Sequence, residues 1–67
     1  MELDEKIMVL LNGSEDGQIN CSDTEWCKRL QTEDYQDVHD ALGRLHAARR
    51  IVWYREGDGE TNSAQLL

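Results

Sequence analysis

The sequence has no long hydrophobic run, no proline and only two cysteines. No apolar stretch approaches the roughly 18 residues of a membrane-spanning helix, and the acidic N-terminus, Met1 to Glu5, lacks the basic start of a secretion signal. Secreted domains of this size usually carry several disulfides, whereas Cys21 and Cys27 could form one at most. These absences predict an intracellular protein, in the cytoplasm or the nucleus, with no membrane association.

Basic residues are also scarce, since seven lysines and arginines face fourteen acidic residues, for a net charge of −7. Such a charge repels nucleic-acid phosphates at long range and attracts basic protein surfaces. Acidic surfaces also keep small domains soluble and are typical of salt-adapted proteins. The charge therefore favours a basic partner over nucleic acid, with solubility or salt adaptation as the alternative explanation.

The chain has only 67 residues, of which 39% are apolar. This length is near the lower limit for folding around a hydrophobic core, so residues 1–67 are expected to form a single domain. One shared core leaves little room for an enzyme cleft. The sequence predicts a non-enzymatic protein without a cofactor.

Two amphipathic segments are predicted to be helices. Leu3, Ile7, Leu10 and Leu11 form one stripe of a first helix, which Asn12-Gly13 is expected to end in a left-handed cap. A third helix is predicted from residue 33 or 34 to about residue 48 or 49, because apolar residues recur there at spacings of three and four: Tyr35, Val38, Leu42 and Leu45.

Between them, residues 18–21 read as a short extended segment that leads into a second helix. Ser22 and Glu25 form a capping box at the start of that helix. Trp26 follows on the apolar face, where we expect it to be part of the core. A turn at Gln31-Thr32 then separates the second helix from the third.

The C-terminal part is typical of a β-hairpin. Ile51–Tyr54 are β-branched or aromatic and are followed by a Gly57-Asp58-Gly59 turn. The return strand, within residues 61–67, is weaker because its first residues are polar. Trp53 and Tyr54 lie on opposite faces of the strand, so one of them should be exposed as a contact residue or a dimer seam. The alternative is that this ring packs against the first helix or the chain terminus.

The order helix, strand, helix, helix, hairpin resembles the winged helix-turn-helix superfamily over residues 4–67. The most typical stretch is Val38-x3-Leu42-x2-Leu45-x5-Ile51, which is similar to the superfamily's third helix running into its first wing strand. The resemblance implies an α+β fold with three helices, a short strand and a C-terminal β-hairpin wing. It implies a fold more strongly than a function.

The third helix of this superfamily often enters the DNA major groove with its N-terminal half. Here that half is acidic, and the chain is similar in length and charge to winged domains that dock proteins, such as the one on the middle subunit of the eukaryotic single-strand-binding replication complex. We therefore expect an interaction module of transcription, replication or viral machinery that binds a basic protein. The expected contact residues are three carboxylates and an aromatic anchor: Glu33, Asp37, Asp40, and Trp53 or Tyr54.

The alternative is a dimeric DNA-binding transcriptional regulator that contacts DNA through the wing and the second helix. Its contact residues would be Lys28, Arg29, Arg49, Arg50 and Arg55. These cations also have a structural interpretation, because Arg49 and Arg50 favour the negative end of the third helix, and Arg44 could pair with Asp40 one turn back. A viral DNA mimic is a third interpretation of the acidic stripe.

Two more specific resemblances fail at particular residues. Small winged domains that bind Z-form nucleic acid have a similar layout, but their helix-three asparagine and tyrosine align with His39 and Gly43, and their proline-rich wing is missing. Cys21, Cys27, His39 and His46 are spaced too widely for a zinc finger. Histidines seven residues apart on a helix are separated by roughly 10 Å. We therefore predict no metal site, with core or interface thiols and ordinary surface histidines.

Overall fold

The computed structural model describes residues 2–57 and 60–67 and contains a mixed α+β domain. The predicted order of helices and strands is confirmed. No helix in the described part of the chain is long and apolar enough to cross a membrane. The elements are α1 (Leu3–Gly13), β1 (Gln18–Ser22), α2 (Asp23–Leu30), α3 (Tyr35–Ala47), β2 (Ile51–Arg55) and β3 (Thr61–Leu66).

The end of α1 differs from the prediction. The helix continues through Gly13 and ends at an extended Ser14, so a left-handed cap at Asn12-Gly13 is wrong. The Ser14 N–H donates to the Leu11 carbonyl oxygen at 3.2 Å, and the Ser14 hydroxyl donates to the same oxygen at 2.9 Å. The hydroxyl of Ser14 thus gives the Leu11 carbonyl oxygen a hydrogen bond at the helix end, where a residue after a left-handed glycine cap would otherwise donate one. The left-handed glycine is Gly17, at φ 69°, in the following loop.

Side-chain caps start the other two helices, and α3 is slightly shorter at both ends than the predicted span from residue 33 or 34 to 48 or 49. Ser22 Oγ accepts a hydrogen bond from the Glu25 N–H at 3.2 Å, which confirms the serine half of the capping box. Asp34 Oδ1 accepts from the Gln36 N–H at 2.9 Å, and α3 begins at the next residue, Tyr35. At α3, therefore, the acidic Asp34 caps the helix as well as adding to the surface charge.

The sheet is antiparallel and has the strand order β1-β3-β2. β2 and β3 pair as the predicted hairpin, although Asp58 and Gly59 of its turn lie outside the described residues. β1 pairs with the other edge of β3, so that Ile19 and Trp53 both lie opposite Ala64. The weakly predicted return strand is thus the central strand of three, and the sheet is larger than a simple hairpin.

The helices cover one face of this sheet and leave the other open. Val52 and Tyr54 on the open face are 37% and 50% exposed, and Trp53 between them points to the helices because strand residues alternate. Trp26 is fully buried, as predicted. The core also contains aliphatic residues of every element: Ile7, Leu11, Ile19, Leu30, Val38, Ala41, Leu42, Leu45, Ile51 and Ala64.

Candidate functional site

A buried asparagine on the central strand organises the polar side of the interior. Asn62 is 0% exposed, and each of its side-chain and backbone acceptors is used. Its carbonyl oxygen accepts from the indole N–H of Trp26 at 3.1 Å, and its side-chain oxygen accepts from the indole N–H of Trp53 at 3.1 Å. Its amide group donates to Asp23 Oδ1. Asn62 therefore connects β3 to β2 and to the start of α2.

Asp23, the first residue of α2, extends this cluster to α3. His39 Nε2 lies 2.8 Å from Asp23 Oδ1, and the two side chains are only 12% and 20% exposed. The other oxygen, Oδ2, lies 3.6 Å from Nη2 of Arg55 on β2. The backbone N–H of Asp23 donates to the Glu60 carbonyl oxygen at 2.8 Å. A carboxylate at the N-terminus of a helix is also favoured by the helix dipole.

Aromatic rings continue the cluster along α3. The Tyr35 and His39 rings meet edge-on with centroids 5.7 Å apart, and His39 and Trp53 lie 6.2 Å apart. Trp53 also passes close to Gly43, where a Cβ atom would lie 3.7 Å from Trp53 Cζ3. Trp53 is thus covered by α3 and bonded to Asn62. Tyr35, at 57% exposure, is the open end of the row.

A groove of about 420 Å³ lies where these elements meet. It is shallow and open to solvent, and the start of α2, the start of α3 and the hairpin all contribute to it. Two carboxylates, two hydroxyls, one guanidinium and one aromatic ring line it: Asp23, Glu60, Ser22, Thr24, Arg55 and Tyr35. The combination suits recognition of a polar or cationic group.

The acidic residues predicted to bind a partner lie in the open at and before the first turns of α3. Glu33, Asp37 and Asp40 are all exposed. Asp40 accepts a hydrogen bond from the Gln36 side chain at 3.1 Å. Within residues 2–57 and 60–67, no lysine, arginine or histidine nitrogen lies within 4.0 Å of these three carboxylates. Arg44 interacts with Asp40 only through longer-range electrostatics, so most of the charge of this group is available to an external cation.

The structure does not bring the two predicted aromatic anchors onto one surface with these carboxylates. Trp53 lies under α3, held by Asn62 and by the His39 ring. Tyr54 lies on the open face of the sheet, which the helices do not cover. The exposed ring next to the acidic residues is instead Tyr35, which the sequence analysis assigned to the helix core stripe. That assignment is wrong because Tyr35 is 57% exposed.

Arg44 pairs with a different partner from the one predicted. Its Nη2 and Nε atoms donate to the two carboxylate oxygens of Asp4 at 2.7 and 3.1 Å, whereas pairing with Asp40 was expected. The contact joins α3 to the first turn of α1 and is bidentate, the geometry that arginine favours. Hydrogen bonding to Arg44 lowers the pKa of Asp4 below its usual value.

The cations of the DNA-binding alternative are dispersed, and some are paired. Arg29 Nε lies 4.0 Å from Glu25, and Arg55 lies 3.6 Å from Asp23. Arg49, at φ 60°, forms the turn before β2, so it stands at the opposite end of that strand from Arg55. Four residues of extended strand separate these ends by about 13 Å. Lys28 and Arg50 are exposed on α2 and on the α3–β2 turn, respectively.

The cysteines and histidines form no reactive centre. Cys21 and Cys27 are half-buried free thiols, and burial raises the pKa of both, which disfavours the thiolate form. No group of three potential metal ligands occurs among the residues that the structure describes. His39 is not the surface residue that was predicted, since it is largely buried against Asp23. His46 is exposed, and its Nδ1 lies 3.3 Å from the Trp53 N–H.

Sequence reasoning missed Asn62 and Asp23 as the centre of the site. Asn62 falls in the polar start of the weakly predicted return strand, and Asp23 falls between the capping residues Ser22 and Glu25. Asparagine is depleted in strands, so an asparagine within the predicted return strand, between Thr61 and Ser63, was the available signal. Its partners are remote in sequence, and only the folded chain brings them together.

Comparisons of the chain with protein-family models, with curated proteins and with solved structures find no match. The geometry and charge of the site are therefore the basis for assigning a function.

Proposed function

We propose that this chain is a winged helix-turn-helix domain that serves as a non-enzymatic interaction module and binds a basic protein partner through the N-terminal part of α3. The observation that carries the proposal is the set of exposed carboxylates there, without a cation of the described chain within 4.0 Å: Glu33, Asp37 and Asp40. The element order and the strand order β1-β3-β2 are compatible with a winged helix.

The distribution of the cations supports the same proposal. Arg44, Arg29 and Arg55 each face a carboxylate of this chain, which offsets part of their attraction for phosphate. A DNA-binding surface needs cations that track the phosphate backbone over one face. The five cations of the DNA-binding alternative are divided between α2 and both ends of β2, whereas Glu33, Asp37 and Asp40 lie together at and before the first turns of α3.

A direct test is fluorescence anisotropy with a labelled amphipathic helical peptide of about 18 residues, basic on one face and leucine-rich on the other. Reversing the charge with Asp37→Lys and Asp40→Lys together should weaken binding about tenfold or more, because opposed charges become like charges. The effect should shrink at high salt.

The matched control is the double variant Glu5→Lys and Glu15→Lys, which changes the net charge equally at exposed residues outside the N-terminal part of α3. If α3 is the docking face, this control should lower the peptide affinity by less than about threefold. Equal losses of peptide affinity in the two double variants would show that binding depends on the net charge and not on the N-terminal part of α3. A labelled DNA duplex provides the opposing probe, and binding at micromolar protein that weakens steeply with salt would favour the regulator instead.

A further inference from the structure

The groove at the start of α2 contains a carboxylate oxygen for which the described part of the chain supplies no hydrogen-bond donor. Asp23 Oδ1 contacts both His39 and Asn62. The nearest cation to Oδ2 is Arg55 Nη2 at 3.6 Å, which is too long for a hydrogen bond. Ionised carboxylate oxygens normally accept about two hydrogen bonds each. Oδ2 can therefore accept a donor that enters the groove.

The other walls of the groove favour a planar cation. The Tyr35 ring lines the groove, is 57% exposed and makes an edge contact with the His39 ring. Glu60 adds a second acidic residue to the lining, and Thr24 adds a hydroxyl. Arginine can stack its guanidinium group on an aromatic ring and donate two parallel hydrogen bonds to a carboxylate. Lysine, as a compact point charge, gains less from such a site.

We propose that this groove binds an arginine side chain of the basic partner, stacked on Tyr35 and bonded to Asp23 Oδ2. The proposal rests on the proposed function and names the residue type that the acidic domain selects. Arg55 already brings a guanidinium toward Asp23 Oδ2 from within the chain, which indicates that this oxygen attracts one. The incoming arginine therefore competes with Arg55 for the same acceptor.

The first experiment is a titration of the isotope-labelled full chain by NMR with N-acetyl-arginine amide. Backbone signals of Ser22, Asp23, Thr24 and Tyr35 should shift together and saturate. The lysine analogue should bind at least about threefold more weakly. The citrulline analogue, which has nearly the same shape without the charge, should leave these signals unmoved. Equal shifts with lysine, spread over the surface carboxylates, would overturn the proposal.

Substitutions at Tyr35 and Arg55 distinguish the contribution of the aromatic ring from the effect of the competing guanidinium group. Tyr35→Ala should weaken arginine binding about threefold or more, whereas Tyr35→Phe should retain it because the ring face remains. Arg55→Gln should strengthen binding about threefold, because a competing like charge is removed. If Arg55→Gln weakens binding, or if inorganic phosphate shifts the same signals, the groove is an anion site and the proposal fails. Circular dichroism of each variant verifies the fold.

Failure of this proposal and failure of the proposed function give different results. If the groove is wrong but α3 docks a basic helix, the peptide still responds to Asp37→Lys and Asp40→Lys, and Tyr35→Ala leaves its affinity unchanged. If the docking function is wrong but the groove is right, the peptide does not respond to those charge reversals, and the arginine analogue still shifts the groove signals.

Discussion

The interior of this domain has two parts, an apolar part and a polar part, which meet at Trp26. On one side, Trp26 packs with aliphatic residues such as Ile7, Leu30 and Leu42. On the other side, its indole N–H donates to the backbone of Asn62, whose side chain binds Asp23 and Trp53. A single tryptophan therefore belongs to both networks, through its ring and through its one polar atom.

The two parts stabilise the fold by different physics. Apolar contacts are non-directional and add up roughly with buried area, so a smaller side chain removes part of the stabilisation. A buried hydrogen-bond network depends on completeness, because a lost partner leaves a desolvated group unpaired. The polar part also borders the groove through Asp23, so the shape of the groove depends on the part of the interior that is more sensitive to the loss of a single partner.

The largest effect is expected from the apolar part. Leu42→Ala removes a fully buried side chain from α3 and should lower the free energy of unfolding by about 3 kcal/mol, from lost transfer energy and the cavity left behind. Urea titration followed by circular dichroism measures the loss. Val9→Ala, at a site 58% exposed on α1, is the control and should change stability by less than about 0.5 kcal/mol. Similar losses at both sites would contradict this division of the interior.

The polar part predicts the next largest effect. Asn62→Ala removes the acceptor of the Trp53 indole and a donor to Asp23, and should cost about 2 kcal/mol. The Trp53 environment should change as well, which tryptophan fluorescence reports. Gln65→Ala, at an exposed site on the same strand, is the control for loss of a polar side chain. If Asn62→Leu is as stable as the wild type, the hydrogen bonds of Asn62 stabilise the fold no more than apolar packing of a side chain of similar volume would.

The sequence predicted the apolar part far better than the polar part. Helical spacing identified Ile7, Leu42 and Leu45 as core because an amphipathic stripe is a local, periodic signal. Asn62 lies 39 residues from its partner Asp23, and no periodicity links two such residues. The same limit explains the Arg44 error, since Asp40 was close in sequence and Asp4 was close only in space.

The acidic face itself was a local prediction, and the structure leaves its carboxylates exposed on α3. The aromatic anchor, Trp53 or Tyr54, could not be chosen from local sequence. Strand alternation places the two rings on opposite faces, but it does not indicate which face the helices cover. The fold resolves this by packing α3 against Trp53 and leaving Tyr54 on the open side of the sheet. Tyr35 was wrongly assigned to the core because it fits the spacing of three and four as the first residue of the apolar stripe. Spacing alone does not show where along the helix the stripe leaves the core.

A smaller effect of opposite sign is expected where α3 meets β2. Gly43 lies inside α3, and a Cβ atom there would lie 3.7 Å from Trp53, an ordinary contact distance. Gly43→Ala should therefore stabilise the domain by about 0.5 to 1 kcal/mol, because alanine restricts the unfolded chain and favours the helix. Thermal unfolding measures the gain. Gly43→Leu is the contrast, and a gain there too would indicate that Trp53 is not confined by α3.

The smallest effect is expected from the exposed Asp4–Arg44 pair between α1 and α3, which lies outside both parts of the interior. Hydrogen bonding to Arg44 holds the pKa of Asp4 below its ordinary value of 3.8. A lowered folded-state pKa contributes stability that is fully present above the unfolded value and is lost as the pH falls through the folded value. The advantage of the wild type over Asp4→Asn should therefore persist at neutral pH and disappear in strong acid.

Urea midpoints measured from neutral pH to about pH 2 test this prediction. Glu5→Gln is the matched variant, because it removes the same charge from the same helical turn and leaves the Asp4–Arg44 pair intact. Added salt should reduce the Asp4→Asn effect as well, since both partners are partly exposed. If Asp4→Asn and Glu5→Gln behave alike at every pH, the helix dipole of α1 accounts for the stabilisation, and the bidentate contact with Arg44 contributes nothing measurable.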